Sequence, residues 1–181
     1  MNTNIISIST TFNDIPHLAT TLWFSGCNLK CKGCQNTILE NRQDGLNLNE
    51  LVKVLEKRVK MTDWLVYLGG NPLDSIESLL KVSTLAKDLG FKQFLYSGYT
   101  YYEFENMFNN NIHNMLINNF NYIKTGRYDI NYSKQNCSIE GEEYFFETLN
   151  QEVYKSNNYS WEKFYNFDFD NNLVYGNLSL I

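Results

Sequence analysis

Three of the chain's four cysteines fall in the run Cys27-Asn28-Leu29-Lys30-Cys31-Lys32-Gly33-Cys34, at C-x3-C-x2-C spacing. Three thiolates this close on a short loop can hold three corners of a cubane iron–sulfur cluster and leave the fourth iron without a protein ligand. A small molecule can bind such an open iron directly, so the cluster can do chemistry as well as carry electrons. A structural zinc site instead closes its tetrahedron with four protein side chains. Its fourth ligand would have to be Cys137, His17 or His113, all distant in sequence. Disulfides are disfavoured, because the three cysteines are too crowded for independent bridges and no secretory leader precedes them. The iron–sulfur reading ranks first, zinc second and plain buried thiols third. Cys137, alone in a polar stretch, reads as a bystander.

The segments around the cysteines alternate between strand-like and helix-like. Ile5 to Ser9 and Thr20 to Phe24 read as strands, the second entering the cysteine loop through Ser25-Gly26. Leu48, Leu51, Val52, Leu55 and Val59 recur at helical spacing, with Asn47 or Asn49 as cap. Trp64 to Leu68 reads as a buried strand stopped by Gly69-Gly70, and Ser75 to Leu89 as an amphipathic helix stopped by Gly90. Lys92 to Tyr96 is a strand ending in Ser97-Gly98. Tyr101 to Phe108 and Ile112 to Asn118 follow as helices, and Phe120 to Lys124 as a strand before Thr125-Gly126. This alternation predicts βαβ units around a mainly parallel sheet, an α/β fold. Ligands of such sheets gather at the carboxyl ends of the strands, where all four glycine-bearing breaks fall.

Composition bounds the rest. A chain of 181 residues, 43% hydrophobic and 15% aromatic, is long enough to bury a core. The formal charge of −5 offers no basic footprint for nucleic acid. No apolar run approaches membrane-spanning length, so neither nucleic acid nor membrane is an expected partner. Clustered free thiols without a leader suit the reducing cytoplasm. There is no Ser–His–Asp ordering, no Walker-type phosphate loop and no internal repeat. His17 and His113 read as structural or surface histidines, and Glu142-Glu143 as a solvated pair. Asp14 is a weak candidate for contact with a cofactor.

The cysteine run, followed after the next strand by Gly69-Gly70-Asn71-Pro72-Leu73, resembles the radical S-adenosylmethionine superfamily. Leu22 to Cys27, Cys31 to Asn36, Leu68 to Leu73, Tyr96 to Thr100 and Thr125 to Tyr128 together resemble the glycyl-radical activases, above all the activating proteins of anaerobic ribonucleotide reductase. The resemblance spans roughly residues 1–135. It implies an incomplete TIM-type β/α barrel over 1–140; residues 141–181, which the resemblance does not cover, are expected as a C-terminal extension packed on the same domain. It also implies that Cys27, Cys31 and Cys34 ligate a 4Fe-4S cluster whose open iron chelates S-adenosylmethionine. Reductive cleavage would then give a radical that abstracts a glycine hydrogen from the partner reductase, with flavodoxin or ferredoxin as electron donor.

The cofactor-binding positions the resemblance implies are Gly33, Asn36, Gly69, Gly70, Asn71, Pro72, Ser97, Tyr99 and Thr125. The chain departs from the family pattern at Asn71 and Thr125, where acidic residues are usual, and at Asn13 to His17, which lacks a Gly-Pro-Gly turn. Tyr144 to Phe146 and Leu173 to Tyr175 are expected to add edge strands or a partner-binding extension. Alternatives are a pyruvate formate-lyase-type activase, a radical enzyme acting on a small molecule, and a noncatalytic iron–sulfur or zinc protein.

Overall fold

The computed structural model describes residues 2–15, 17–132, 148 and 150–165. In chain order the elements are β1 (Ile5–Thr11), β2 (Ala19–Phe24), α1 (Leu48–Arg58), β3 (Trp64–Gly69), α2 (Ile76–Asp88), β4 (Lys92–Tyr96), α3 (Tyr101–Met107), α4 (Asn110–Asn119), β5 (Tyr122–Thr125), β6 (Glu152–Ser156) and β7 (Trp161–Tyr165). The strands form one open sheet in sequence order, β1 to β7. β2 to β5 run parallel, as the alternation predicts, with Phe24 opposite Gly69 and Leu95 opposite Ile123. The flanks are antiparallel: β1 on β2, β6 on β5 and β7 on β6. The architecture is therefore mixed α/β, parallel at its centre.

Strand side chains alternate between faces, and the two faces of this sheet bury different things. Leu65 and Tyr67 of β3, Leu95 of β4 and Ile123 of β5 share one core with Leu51 and Leu55 of α1, Leu79 and Val82 of α2, Phe104 of α3 and Leu116 of α4. The opposite face gathers Trp64, Val66, Leu68, Phe94 and Tyr122 with the half-buried Trp23 and Tyr96, and no helix residue joins it among the described residues. That second face is aromatic, and no described helix covers it. No helix among the described residues is long and apolar enough to cross a membrane.

The helices hold for different reasons. The Asn47 side chain accepts from Asn49 N–H at the start of α1, and Glu50 and Lys57 sit at the ends that complement the helix dipole. α4 has no charged residue in its first or last turn and is rich in asparagine, a poor helix former. Ten residues of that composition are too few to stand alone. Packing supplies what propensity lacks: Leu116 is buried, Asn119 Nδ2 donates to Ser83 Oγ at 2.9 Å, and Lys87 Nζ caps Asn118 O at 2.7 Å.

Ser83 also ends a buried polar chain. The Tyr67 hydroxyl donates to Gln93 Oε1, and Gln93 Nε2 donates to Ser83 O at 2.9 Å. Tyr67 and Gln93 are fully buried. Tyr67→Phe leaves the Gln93 oxygen without its donor, which should destabilise the fold by about 1–3 kcal/mol. A lower urea midpoint with an unchanged slope is the expected reading.

Candidate metal centre

The cysteine loop begins where β2 ends, and its base is a backbone clamp. Gly70 N–H donates to Phe24 O and Asn71 N–H to Gly26 O, both at 2.8 Å. On the other side Gly26 N–H donates to Leu39 O at 2.8 Å and Cys27 N–H to Glu40 O at 2.9 Å. This sandwich leaves no room for a side chain. A Cβ on Gly70 would lie 2.6 Å from Gly26 O and 2.9 Å from Leu39 O; one on Gly69, at φ +116°, would lie 2.5 Å from Phe24 O. The Gly-Gly pair is thus required by the approach of two strand ends as well as by any ligand.

Above the clamp, Cys27, Cys31 and Cys34 are free thiols of intermediate exposure that line one cleft. Each sulfur faces a backbone N–H. Asn36 donates to Cys34 Sγ at 3.4 Å. Leu29 serves Cys27 from the same i+2 position, while Cys31 is served by Tyr128 from the loop after β5. Burial pushes the Cys27 thiol up; Asp74 and the other two cysteines push the same way, against the Leu29 N–H. Burial also raises Cys31, against the Tyr128 N–H and the Arg127 guanidinium. A coordinated metal reverses this, because a ligating thiol is deprotonated.

This donor set fits an iron–sulfur cluster: soft sulfur ligands, unbridged, partly shielded from water, with amides directed at them. No three His, Cys, Asp or Glu side chains among the described residues are placed to hold a metal ion as they stand. The histidines weighed as a fourth zinc ligand are elsewhere. His17 stacks on Trp64, with ring centroids 5.6 Å apart. Trp64 opens β3, about 15 Å from its cysteine end at strand rise. His113 packs edge-on against Phe104 and Phe108 on the helical side. Cys137 lies outside the described residues, as do Tyr144 to Phe146 and Leu173 to Tyr175.

The cleft measures about 200 Å³ and opens across the carboxyl ends of β2 to β5. Enclosed volumes of small-molecule sites usually run from about 300 Å³ upward, so part of any sizeable ligand would sit in the mouth. Of the expected positions, Asn36, Gly69, Gly70 and Ser97 line it beside the cysteines. Asn36 Nδ2 donates to Gly69 O at 3.2 Å, which fixes that carbonyl.

The other expected positions stand behind the lining. Gly33 backs onto Ile130, where a Cβ would meet Cδ1 at 3.2 Å. Asn71 is 1% exposed; its Nδ2 donates to Asp74 and its Oδ1 has no partner among the described residues. Pro72 is buried at the first position of a short helical turn. Tyr99 donates its hydroxyl to Asp74 Oδ1 at 2.7 Å. Thr125 turns its hydroxyl to Glu152 O at 3.4 Å, toward β6. Strand parity explains that last placement: Lys124, one residue earlier, lines the cleft.

Lys124 was not singled out from sequence, nor were Trp23, Tyr96 and Tyr128, which also line the cleft. Lys124 Nζ lies 4.3 Å over the Tyr96 ring and donates to Gln151 Oε1 at 3.0 Å. The one charged residue in a short buried strand was the available signal. Asp14, a weak candidate from sequence, also lines the cleft and accepts from Thr21 Oγ1 at 2.7 Å.

The loop carrying Tyr128 is pinned by Arg127, whose guanidinium grips Glu103 at 2.6 and 2.7 Å. Glu103 also closes a capping box with Thr100 at the start of α3. The Arg127 hydrogen bonds, joined by the Thr100 N–H, hold its carboxyl down at about 2.

Fold and site together define an α/β protein with a three-cysteine loop at the carboxyl edge of a parallel sheet core. A family model described as a 4Fe-4S single cluster domain matches residues 17–146, and the chain belongs to that family. No curated protein matches the chain. Among solved structures, the crystal structure of QueE from Escherichia coli aligns at 18% identity with a TM-score of 0.42, covering 53% of this chain and 52% of that one. The chain thus spans about half the length of that structure.

Two substitutions separate the clamp from a bystander thiol. After anaerobic reconstitution, Gly70→Ala should lose most of its iron and sulfide, because the added methyl displaces the base of the cysteine loop. Cys137→Ala should retain the wild-type content.

Proposed function

We propose that the protein is a radical S-adenosylmethionine enzyme in which Cys27, Cys31 and Cys34 hold three irons of a 4Fe-4S cluster. One observation carries this reading: in a member of a single-cluster 4Fe-4S family, three free thiols open onto the cleft where four parallel strand ends meet. When bound, a cluster with one open iron supplies the low-potential electron that splits the carbon–sulfur bond of S-adenosylmethionine. The chain's own residues do the positioning. Gly69 O, held by Asn36, keeps a second lone pair for the methionyl ammonium. Trp23, Leu68 and Tyr96 form an apolar wall that keeps water from a reactive species. Asn71 offers an acceptor oxygen without the charge that an acidic residue would bring. Gly33, Pro72, Tyr99 and Thr125 act from behind the lining.

The same reading takes the open sheet as an incomplete β/α barrel over residues 1–140, with 141–181 as an extension. The substrate it favours is a protein: a glycine-bearing loop of anaerobic ribonucleotide reductase, on which a glycyl radical is installed. Flavodoxin or ferredoxin would deliver the electron in the cytoplasm. The order of the five sequence stretches supports this choice of partner, and the shallow, open cleft suits a loop reaching in from a larger protein.

Reconstituted protein, reduced with dithionite and given S-adenosylmethionine, should release methionine and 5′-deoxyadenosine in equal amounts. An assembled cluster that leaves the molecule intact would make this a noncatalytic iron–sulfur protein. With the reductase added, electron paramagnetic resonance should detect a glycyl radical on it. Cleavage without that radical would move the substrate to a pyruvate formate-lyase-type partner or a small molecule.

A further inference from the structure

Asp74 follows the Gly-Gly-Asn-Pro-Leu turn and reaches back to the cysteine loop. Its Oδ2 accepts Asn28 N–H at 2.9 Å and Asn71 Nδ2 at 3.2 Å, and its Oδ1 accepts the Tyr99 hydroxyl at 2.7 Å. All three partners are neutral donors, and both carboxylate oxygens serve here as acceptors. None of the ion pairs among the described residues includes it. A formal negative charge with no ion-pair partner among the described residues is therefore fastened to the residue next to Cys27.

That charge works against three groups of opposite polarity. The N–H groups of Leu29, Tyr128 and Asn36 each face one cysteine sulfur. Amide donors to sulfur ease the addition of an electron to a cluster; a nearby fixed anion opposes it. The Asp74 carboxylate is held by the backbone N–H of Asn28, one residue along the chain from Cys27. Asp74 also takes the Asn28 N–H for itself, so this loop amide is not spent on sulfur.

We propose that Asp74 is a positioning residue that sets the reduction potential of the cluster low, by fixing a carboxylate against the cysteine loop. The inference rests on the reading that Cys27, Cys31 and Cys34 hold that cluster. The step concerned is the uptake of one electron by the oxidised cluster from a low-potential one-electron reductant, with no bond made or broken. A low potential makes the reduced cluster a stronger donor, which the cleavage of a sulfonium requires. Tyr99 moderates the charge: its hydroxyl is pushed up to about 12, by burial first and then by Asp74, so it stays protonated and donates.

The test is a redox titration of the reconstituted full chain, followed by the electron paramagnetic resonance signal of the reduced cluster. Asp74→Asn keeps the shape and removes the charge, and should favour the reduced state by about tenfold, equivalent to about 59 mV for one electron. Tyr99→Phe removes a hydrogen bond that dampens the charge and should shift the potential the other way. Opposite shifts support the proposal. Should Asp74→Asn fail to hold a cluster, the Tyr99→Phe shift decides alone: downward supports, while upward or none overturns. Equal potentials in wild type and Asp74→Asn, or a rise in both variants, would overturn it and assign Asp74 a purely structural role. A wild-type chain that assembles no cluster would remove the underlying reading as well.

Discussion

Gly70 N–H on Phe24 O and Asn71 N–H on Gly26 O draw two neighbouring strand ends together more closely than a Cβ permits. The contact extends the β2–β3 ladder past Gly69 and brings β2 out of the sheet directly under the three cysteines. Leu39 O and Glu40 O grip the same stretch from the other side. The cysteine loop is therefore held at its base by backbone alone. Nothing there depends on a rotamer, so the base leaves the three cysteine side chains free.

Above that base, loop residues and their neighbours divide the work of charge control. Three backbone amides meet three sulfurs, two from within the loop and one from the segment after β5. The last is itself held by the Arg127–Glu103 pair, and Glu103 also starts α3. Four segments that are remote in sequence thus converge on the trio: the cysteine loop, the turn after β3, the start of α3 and the turn after β5. The aromatic face of the sheet runs up to the same place and supplies the wall of the cleft.

Much of this frame was legible in the residues. The parallel strands, α1 and α2 announce themselves by alternation and by 3.6-residue spacing, because each buries a full face. The four glycine-bearing breaks do lie at the carboxyl edge. β6 and β7 were not read, although Asn157-Asn158 between them is a turn signal, and Asn157 Oδ1 accepts from Tyr159 and Ser160 N–H. Charged residues interrupt both strands (Glu152 and Lys155 in β6, Glu162 and Lys163 in β7), so neither shows a clear apolar run. Asp74 and Lys124 carry no motif: each is a lone polar residue whose meaning comes from what the fold sets beside it. Thr125 shows the limit of spacing alone, since one step along a strand exchanges the cleft for the opposite side.

The central claim is that three cysteine-bound irons accompany a fourth that no side chain holds. Mössbauer spectroscopy of protein reconstituted with ⁵⁷Fe, before and after addition of S-adenosylmethionine, reads this directly. The expected result is a cubane in which one iron of the four changes its isomer shift on addition while three keep theirs. Four irons that all ignore the molecule, or a single mononuclear iron site, would contradict it.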